Sequence, residues 1–445
     1  MKEIIENIQD LLKNHHKMFE NGIPLIASEN VTSIQCREAC NSDLSHRYAE
    51  GWPGERVYAG CEYLDKIEII CQDLAKKYFR VRYADVRPIS GVIANLIMYT
   101  AFTEPGDKMI ATPIPSGGHI SHGPKYASVS KNLINGTAGA VHGLDVHYFK
   151  FDWNEMNIDI DGSAKIIRDI KPKLVLFGCS VFLFPHPVKE LSTVAKEVGA
   201  RVGYDGAHVL GLIGSGYFQD PLREGAEILT GSTHKTLPGP QHGIVLYDLN
   251  NQEEIEYLKK CAFPALLSNH HLHNVAGLAI TLAEMIEFGK SYHNQVIKNA
   301  KHLAQSLYER GFKVLCEHKG FTKSHQVVID VSNFEKTFGL GGDIEKALEK
   351  ANIIVNRNLL PWDIVRDKRN YMNPGGLRLG TAEVTRLGMK ESEMEEIAEF
   401  MKQIIIDKKD PKEVKQKIIE FRKCFQKVHY CFPSNLKAYE FIEFK

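Results

Sequence analysis

Lys235 lies where an apolar run ends in a turn rich in proline and glycine. The run Glu227–Thr230 has the composition of a buried strand, and the turn follows as Leu237-Pro238-Gly239-Pro240. We therefore expect Lys235 at the mouth of a sheet, where burial disfavours the charged ammonium. An amine whose pKa falls from its free value of about 10.4 becomes a nucleophile that can form an imine with an aldehyde. Most lysines are exposed surface groups, so Lys235 alone is a weak signal.

A second residue strengthens this signal. Asp205 ends another short apolar run about thirty residues before Lys235. Pyridoxal phosphate (PLP) requires such a pair, because a lysine holds its aldehyde while a carboxylate keeps its pyridine nitrogen protonated. The two residues together predict a PLP-dependent enzyme.

The composition limits the class of protein. The chain has 445 residues, long enough for more than one domain, with 55 basic and 55 acidic side chains. This balance argues against a nucleic-acid-binding protein, and no apolar run is long enough to predict a membrane span. Residues 1–20 have the spacing of an amphipathic helix rather than of a signal peptide. The nine cysteines show no CxxC pair or metal-ligand spacing, which favours a reducing cytoplasm and no metal site.

Short apolar runs alternate with helical segments between residues 84 and 250. The predicted strands are Val86–Ile89, Lys108–Ala111, Lys173–Phe177, Arg201–Tyr204, Glu227–Thr230 and Gly243–Tyr247, with helices such as Gly162–Ile170 and Val188–Val198 between them. This alternation predicts an α/β fold with a mostly parallel sheet, whose ligands bind beyond the carboxyl ends of the strands.

A smaller α+β domain is predicted to follow. A helix around Asn274–Gly289 leads to a second helix stopped by Gly311, then to strands Gln326–Val331 and Asn352–Val355 and a helix near Lys390–Ile406. We divide the chain into an N-terminal arm and dimerisation segment (1–60), a large PLP-binding domain (61–285) and a small C-terminal domain (286–445).

Six segments, taken in order, resemble the serine hydroxymethyltransferase family. They are Leu25–Asn30, Arg47–Gly54, Gly117–Gly123, Asp205–His208, Thr233–Leu237 and Gly375–Thr381. Order and spacing match the family from about residue 20 to about residue 400. The resemblance is to the archaeal members of this family. It implies a fold-type-I PLP-dependent transferase that is at least homodimeric, with active sites built from two subunits. It implies reversible transfer of the serine hydroxymethyl group to a reduced pterin, giving glycine.

The resemblance also implies roles for individual residues. Lys235 would hold the cofactor aldehyde, Asp205 the pyridine nitrogen, and His119 the ring face, while Ser180 and His208 would contact the phenolic oxygen and its neighbours. Arg378 would bind the substrate carboxylate, assisted by Ser28, and Glu50 would be the acid/base at the hydroxymethyl group. Further cofactor contacts are expected at Ser90, Gly91, Ser232, His234, Tyr48, Ser268 and Asn269. Further substrate contacts are expected at Tyr58, Ile114 and Gly118.

Several positions depart from the family pattern. Val92 and Ile93 follow Ser90-Gly91 in place of a small hydroxyl residue and a glutamine, Ser268-Asn269 replaces Gly-Gly, and Gln241 replaces an arginine. On the pterin side, Val57 stands where a stacking tyrosine is common, and Trp362 stands where an asparagine usually contacts the pteridine ring. Because these changes would weaken folate recognition, we expect a modified pterin of the methanopterin type.

Other interpretations of the sequence remain. A pterin-independent aldolase for threonine or another β-hydroxy amino acid would use the same lysine and arginine, although Glu50 and Tyr58 favour the transferase. A catalytically silent PLP-fold protein would have no need to retain Lys235, Asp205, Arg378 and Glu50 together. The cluster His270-His271-x-His273 has no carboxylate or cysteine at ligand spacing, so we expect no metal there. The aromatic tail beyond Phe421 is expected to cover the small domain or an interface.

Overall fold

The computed structural model of the protein describes residues 1–123 and 142–440. Its strands, numbered along the described chain, are β1 Ile23–Pro24, β2 Gly51–Trp52, β3 Glu55–Arg56, β4 Tyr83–Asp85, β5 Lys108–Ala111, β6 Asp145–Tyr148, β7 Phe151–Asp152, β8 Asn157–Ile158, β9 Leu174–Phe177, β10 Arg201–Asp205, β11 Ile228–Ser232, β12 Gly243–Tyr247, β13 Lys313–Val314, β14 Gln326–Asp330, β15 Ile353–Ile354, β16 Asn356–Asn358 and β17 Gly376–Gly380.

The helices are numbered in the same way. They are α1 Lys2–Glu20, α2 Ile34–Cys40, α3 Glu62–Phe79, α4 Gly91–Phe102, α5 Ile160–Ile170, α6 Val188–Glu197, α7 Leu210–Gly214, α8 Pro221–Glu224, α9 Gln252–Lys260, α10 Leu272–Glu309, α11 Gly341–Lys350, α12 Ala382–Arg386, α13 Glu391–Ile405 and α14 Pro411–Arg422. None of these helices is both long enough and apolar enough to cross a bilayer.

A large sheet of seven strands, counted over the described residues, runs in the order β4, β12, β11, β10, β9, β5, β6. Neighbouring strands from β11 to β6 are parallel, and only β12 runs antiparallel to its two neighbours. β9 and β12 are buried along their whole length, as expected of strands covered on both faces. The predicted α/β class with a mostly parallel sheet is confirmed.

The second sheet is smaller and antiparallel, with the order β13, β14, β17, β16. Its core includes Ile23 and Leu25 from the start of the chain, because β1 pairs in parallel with β15. The long helix α10 supplies Leu278 and Leu282 to the core of the large sheet and Leu303 and Leu307 to the core of the small one. The two helices expected in this region are therefore one continuous helix.

One predicted strand is wrong. The strand expected at Val86–Ile89 lies at Tyr83–Asp85, three residues earlier. Pro88 has no N–H to give to a ladder, and Asp85 turns back to bind the Arg87 side chain at 2.8–2.9 Å. After β4 the chain keeps only single contacts with the next strand, such as the backbone N–H of Gly243 on the Pro88 carbonyl at 2.8 Å.

Candidate active site

Lys235 follows β11 and is buried, with 7% of its surface exposed. Its loop is closed by Thr233, whose hydroxyl donates to the Pro240 carbonyl at 2.6 Å and whose carbonyl accepts the Gly239 N–H at 2.8 Å. The Lys235 carbonyl accepts the Asn30 side chain at 2.6 Å. Burial lowers the pKa of Lys235 to about 8. A large fraction of this amine is therefore neutral, and nucleophilic, in mildly alkaline solution.

Asp205 ends β10, and its carboxylate is surrounded by donors. The side chains of Asn95 and His122 each contact Oδ2 at 2.8 Å, and the Ala207 N–H donates to Oδ1 at 2.9 Å. Burial would raise the pKa of Asp205, but the hydrogen bond and charge of His122, with the Asn95 amide, hold it well below its ordinary value. Asn95 is itself held by the Thr230 hydroxyl at 2.6 Å. Asp205 is therefore a permanent buried anion.

His119 lies beside this anion in the turn after β5. Its Nδ1 accepts the Ser121 N–H at 3.1 Å, and burial lowers the pKa of its ring to about 4. A Cβ at Gly118 would collide with the Thr112 carbonyl, so only glycine allows the chain to pass so close to the end of β5. Ile114 lies in the short helical turn that precedes Gly118. Because its pKa is so low, His119 is neutral at physiological pH.

Ser90, Gly91 and Ser232 form a cradle at the N-terminus of α4. Ser90 caps the helix by accepting the Ile93 N–H at 3.3 Å, which leaves earlier N–H groups of the first turn without helical partners. A Cβ at Gly91 would collide with Ser232 Oγ, so only glycine lets the Ser232 side chain lie this close to the helix N-terminus. His234 is close in sequence, and its buried Nδ1 has no partner among the described residues. Such a helix N-terminus favours an anion.

Arg378 lies on β17 and is buried, with 8% of its surface exposed. It donates to the Ser180 carbonyl at 2.7 Å and to the Asn356 side chain at 3.0 Å. No carboxylate in the described part of the chain pairs with it, and burial lowers its pKa to about 10. The segment that carries Ser28 packs against the end of β17, where the Gly380 N–H donates to the Leu25 carbonyl at 2.8 Å. The remaining Arg378 donors suit a substrate carboxylate.

His208 follows β10 and is buried. Its Nδ1 lies 2.9 Å from the Gln326 amide nitrogen, which also donates to the Ser180 carbonyl at 3.1 Å. Burial and the nearby charges of Lys235 and Arg378 lower the pKa of His208 well below its ordinary value. His208 is therefore neutral, and Ser180 contributes its carbonyl to the same network.

A second group of predicted residues assembles at a half-exposed surface. The Ser268 hydroxyl donates to Glu50 Oε1 at 2.9 Å, so the Tyr48 hydroxyl, 3.0 Å from Ser268, must donate to it. The Tyr58 ring lies 4.9 Å from the Tyr48 ring, and Asn269 accepts the backbone N–H between Tyr48 and Glu50 at 2.9 Å. Within the described ranges, no hydrogen bond, ion pair or ring contact joins this group to the Lys235 group. The predicted site residues of one chain thus fall into two separate groups.

Histidine clusters could suggest a metal. The side chains of His119, His122 and Asp205 place ligand atoms within 4.8 Å of one another, a geometry that could hold an ion. The hydrogen bond between His122 and Asp205 accounts for this closeness without one. His270 Nε2 lies 3.0 Å from the carboxylate of the buried Glu68. Because Glu68 is 202 residues away in the sequence, the spacing around His270 did not predict this pair.

The two pterin-side departures, Val57 and Trp362, lie in different surroundings. Val57 is exposed over 70% of its surface, and its N–H donates to the Glu50 carbonyl at 3.0 Å. The Trp362 ring lies 6.4 Å from the Trp153 ring, beside a cavity of about 460 Å³. The aromatic tail covers the same chain, since the Tyr439 hydroxyl donates to the buried Glu383. Phe441 lies outside the described residues.

Sequence reasoning missed three residues of the site. Asn95 and His122 orient Asp205, and Gln326 orients His208. Their signal was a polar side chain in an apolar element, namely an amide inside α4 and another at the start of β14. His122 stood in a quoted motif without a role.

Comparison with known proteins gives one consistent result. The family model described as serine hydroxymethyltransferase matches residues 1–401. A serine hydroxymethyltransferase of Nitrosopumilus maritimus is 54% identical over 100% of this chain and 99% of that protein. Proteins with the same name from Korarchaeum cryptofilum and Methanocaldococcus jannaschii are 55% and 53% identical, each over at least 98% of both chains.

Proposed function

Because the chain belongs to the serine hydroxymethyltransferase family, we propose that it transfers the hydroxymethyl group of serine reversibly to a reduced pterin, leaving glycine. The chain is an enzyme of fold type I, and its family depends on PLP. The observation that carries the proposal is the buried Lys235 amine, with its pKa lowered to about 8, beside a carboxylate that stays ionised.

The residues present fit PLP. The cofactor aldehyde requires a buried amine, supplied by Lys235, and the pyridine nitrogen requires an ionised carboxylate, supplied by Asp205. The phosphate requires a helix N-terminus with free N–H donors, supplied by the start of α4, where Ser90, Gly91 and Ser232 meet. When bound, PLP supplies an electron sink for the bond broken at the α-carbon of serine.

The chain's own residues then have distinct tasks. Arg378 binds the serine carboxylate with the donors that Ser180 and Asn356 leave available, which fixes the orientation of the α-carbon. Neutral His119 would cover the ring face and would add no charge beside the pyridine nitrogen that Asp205 would hold. Lys235 would hold the cofactor aldehyde, and its buried amine, with its lowered pKa, is suited to accept or donate a proton near the substrate.

Glu50 is proposed to move the proton of the serine hydroxyl. Its carboxylate already accepts a hydrogen bond from Ser268, in the group with Tyr48 and Tyr58. Since that group makes no described contact with the Lys235 group, we propose a homodimer in which each copy supplies Glu50, Ser268 and its neighbours to the other copy's Lys235. Tyr63, in the first turn of α3 and exposed over 72% of its surface, adds apolar area to such an interface.

The one-carbon acceptor is proposed to be a methanopterin-type pterin. The support is chemical: Val57 has no ring to stack on a pteridine, and the Trp362 indole cannot replace the two-way hydrogen bonding of an amide. The family match does not favour the aldolase alternative. The free thiols scattered along the chain support the reducing cytoplasm as the compartment of this protein.

The test is serine cleavage by the purified, PLP-loaded protein with tetrahydromethanopterin and tetrahydrofolate added separately. We expect glycine formation to depend on a pterin and to saturate at lower concentration with tetrahydromethanopterin. Tight turnover with tetrahydrofolate alone would contradict the choice of pterin. Cleavage of threonine with no response to either pterin would instead establish the aldolase.

A further inference from the structure

Gln326 is a buried glutamine that crosses between the two sheets at the active site. It is the first residue of β14 in the small sheet and has no exposed surface. Its Oε1 accepts the Phe182 N–H at 2.8 Å. Its Nε2 donates to the Ser180 carbonyl at 3.1 Å and lies 2.9 Å from His208 Nδ1. All three partners belong to loops that follow strands of the large sheet.

These contacts determine which way the amide faces. A backbone N–H can only donate and a backbone carbonyl can only accept. The Phe182 N–H therefore requires the amide oxygen, and the Ser180 carbonyl requires the amide nitrogen. The nitrogen, as a donor, must then meet an unprotonated Nδ1 on His208. A neutral His208 consequently carries its proton on Nε2.

We propose that Gln326 is a positioning residue of the reaction, which fixes the tautomer and orientation of His208 and connects it through the Ser180 carbonyl to Arg378. The assignment of His208 to the cofactor and of Arg378 to the substrate rests on the proposed function. The tautomer itself follows from the contacts of Gln326 alone.

The shared carbonyl gives the network its meaning for the reaction. Arg378 donates to the Ser180 carbonyl at 2.7 Å, and Gln326 donates to the same oxygen. A displacement of the loop that carries Ser180 would therefore move both Arg378, which binds the substrate carboxylate, and Gln326, which orients His208. Gln326 thus makes correct binding of the substrate and correct presentation of the His208 N–H depend on one another.

The first test measures the tautomer directly. Long-range proton–nitrogen correlation spectra are recorded on the PLP-free wild-type protein labelled with ¹⁵N-histidine, and His208 is assigned by loss of its signals in His208→Asn. We expect an unprotonated Nδ1 and a protonated Nε2 at neutral pH. A protonated Nδ1 would overturn the proposal. This readout needs no catalysis, so it stands even if serine is not the substrate.

The second test separates positioning from packing. Gln326→Met has a similar length and no hydrogen bonds, whereas Gln326→Glu still accepts from Phe182 but cannot donate to His208. We expect both variants to lose about tenfold or more of kcat/KM for serine, and Gln326→Glu to move the His208 proton to Nδ1. The matched control is Gln219→Met, another buried glutamine, which binds the His186 backbone and the Tyr204 hydroxyl at 2.8–2.9 Å.

The outcomes decide between the two roles. Loss of turnover in the Gln326 variants with a changed His208 spectrum, but not in the Gln219 control, supports positioning. Wild-type kinetics in Gln326→Glu, or an equal loss in the folded Gln219 control, would refute it. An inactive wild-type protein would refute the proposed function instead, and the tautomer measurement would still judge Gln326.

Discussion

Glu383 should make the stability of the protein depend on pH in a direction opposite to that of most carboxylates. It lies on α12, directly after β17, and only 5% of its surface is exposed. Burial raises the pKa of Glu383 from 4.5 to about 7, although the Tyr439 hydroxyl donates to the carboxyl. The folded protein therefore binds this proton more tightly than the unfolded chain does.

The size of the effect follows from that difference. Each pH unit between the two pKa values is worth about 1.4 kcal/mol, so the interval from 4.5 to about 7 is worth about 3 kcal/mol. A raised folded pKa gives a contribution that is fully present below pH 4.5 and is lost as the pH rises through about 7. Above that pH the folded state holds a buried carboxylate that the unfolded chain would expose.

The perturbation is Glu383→Gln, which keeps the shape and the acceptor for Tyr439 but cannot ionise. We expect the variant to gain about 2.5 kcal/mol relative to wild type between pH 5 and pH 8, measured as the difference in the free energy of unfolding by urea. Glu396→Gln, an exposed site on α13, is the control and should show no such gain. A difference between Glu383→Gln and wild type that stays constant across this range would refute the reasoning.

Three further predictions concern the site. Lys235→Ala should abolish turnover, and uptake of PLP by the wild-type apoprotein should become faster with rising pH and level off above about pH 8, followed by stopped-flow absorbance, because only the neutral amine reacts. Glu50→Gln should lower serine cleavage about 100-fold or more while PLP binding, measured by absorbance titration, stays unchanged. Asn95→Ala should weaken PLP binding about 10- to 100-fold, since it removes a 2.8 Å bond to a buried anion; an unchanged affinity would show that His122 alone orients Asp205.

The sheet was predictable because its strands are short, apolar and closed by turns. Lys108–Ala111 and Gly243–Tyr247 have the predicted bounds. β6 and β17 were missed because β6 has only four residues and begins with Asp145, and β17 (Gly376–Gly380) contains two glycines; Asp and Gly are depleted in strands. Their partners, rather than their own residues, make them strands.

The lysine and aspartate of the candidate site could be chosen from the sequence because both follow apolar runs and together suit one cofactor. The site was not predictable where a role depends on a neighbour far along the chain. Gln326 lies 118 residues from His208 in the sequence, and the residues around Gln326 do not predict its hydrogen bond to the His208 ring. The size of the pKa shift of Lys235 was not predictable either, because it depends on how completely the folded chain buries the amine.

The pairing of β1 with β15 has a consequence for synthesis. Ile23 leaves the ribosome 330 residues before its partner Ile353 does. Domains fold as units while the chain emerges, so the strands between residues 83 and 247 can form their sheet while the N-terminal segment still waits for its partner. The core of the small sheet is thus completed by a segment that is made long before the rest of it. Removal of residues 1–24 should therefore cost β15 its partner strand and the core of the small sheet its Ile23, and leave the large sheet to fold. Partial proteolysis of nascent and full-length chains measures this.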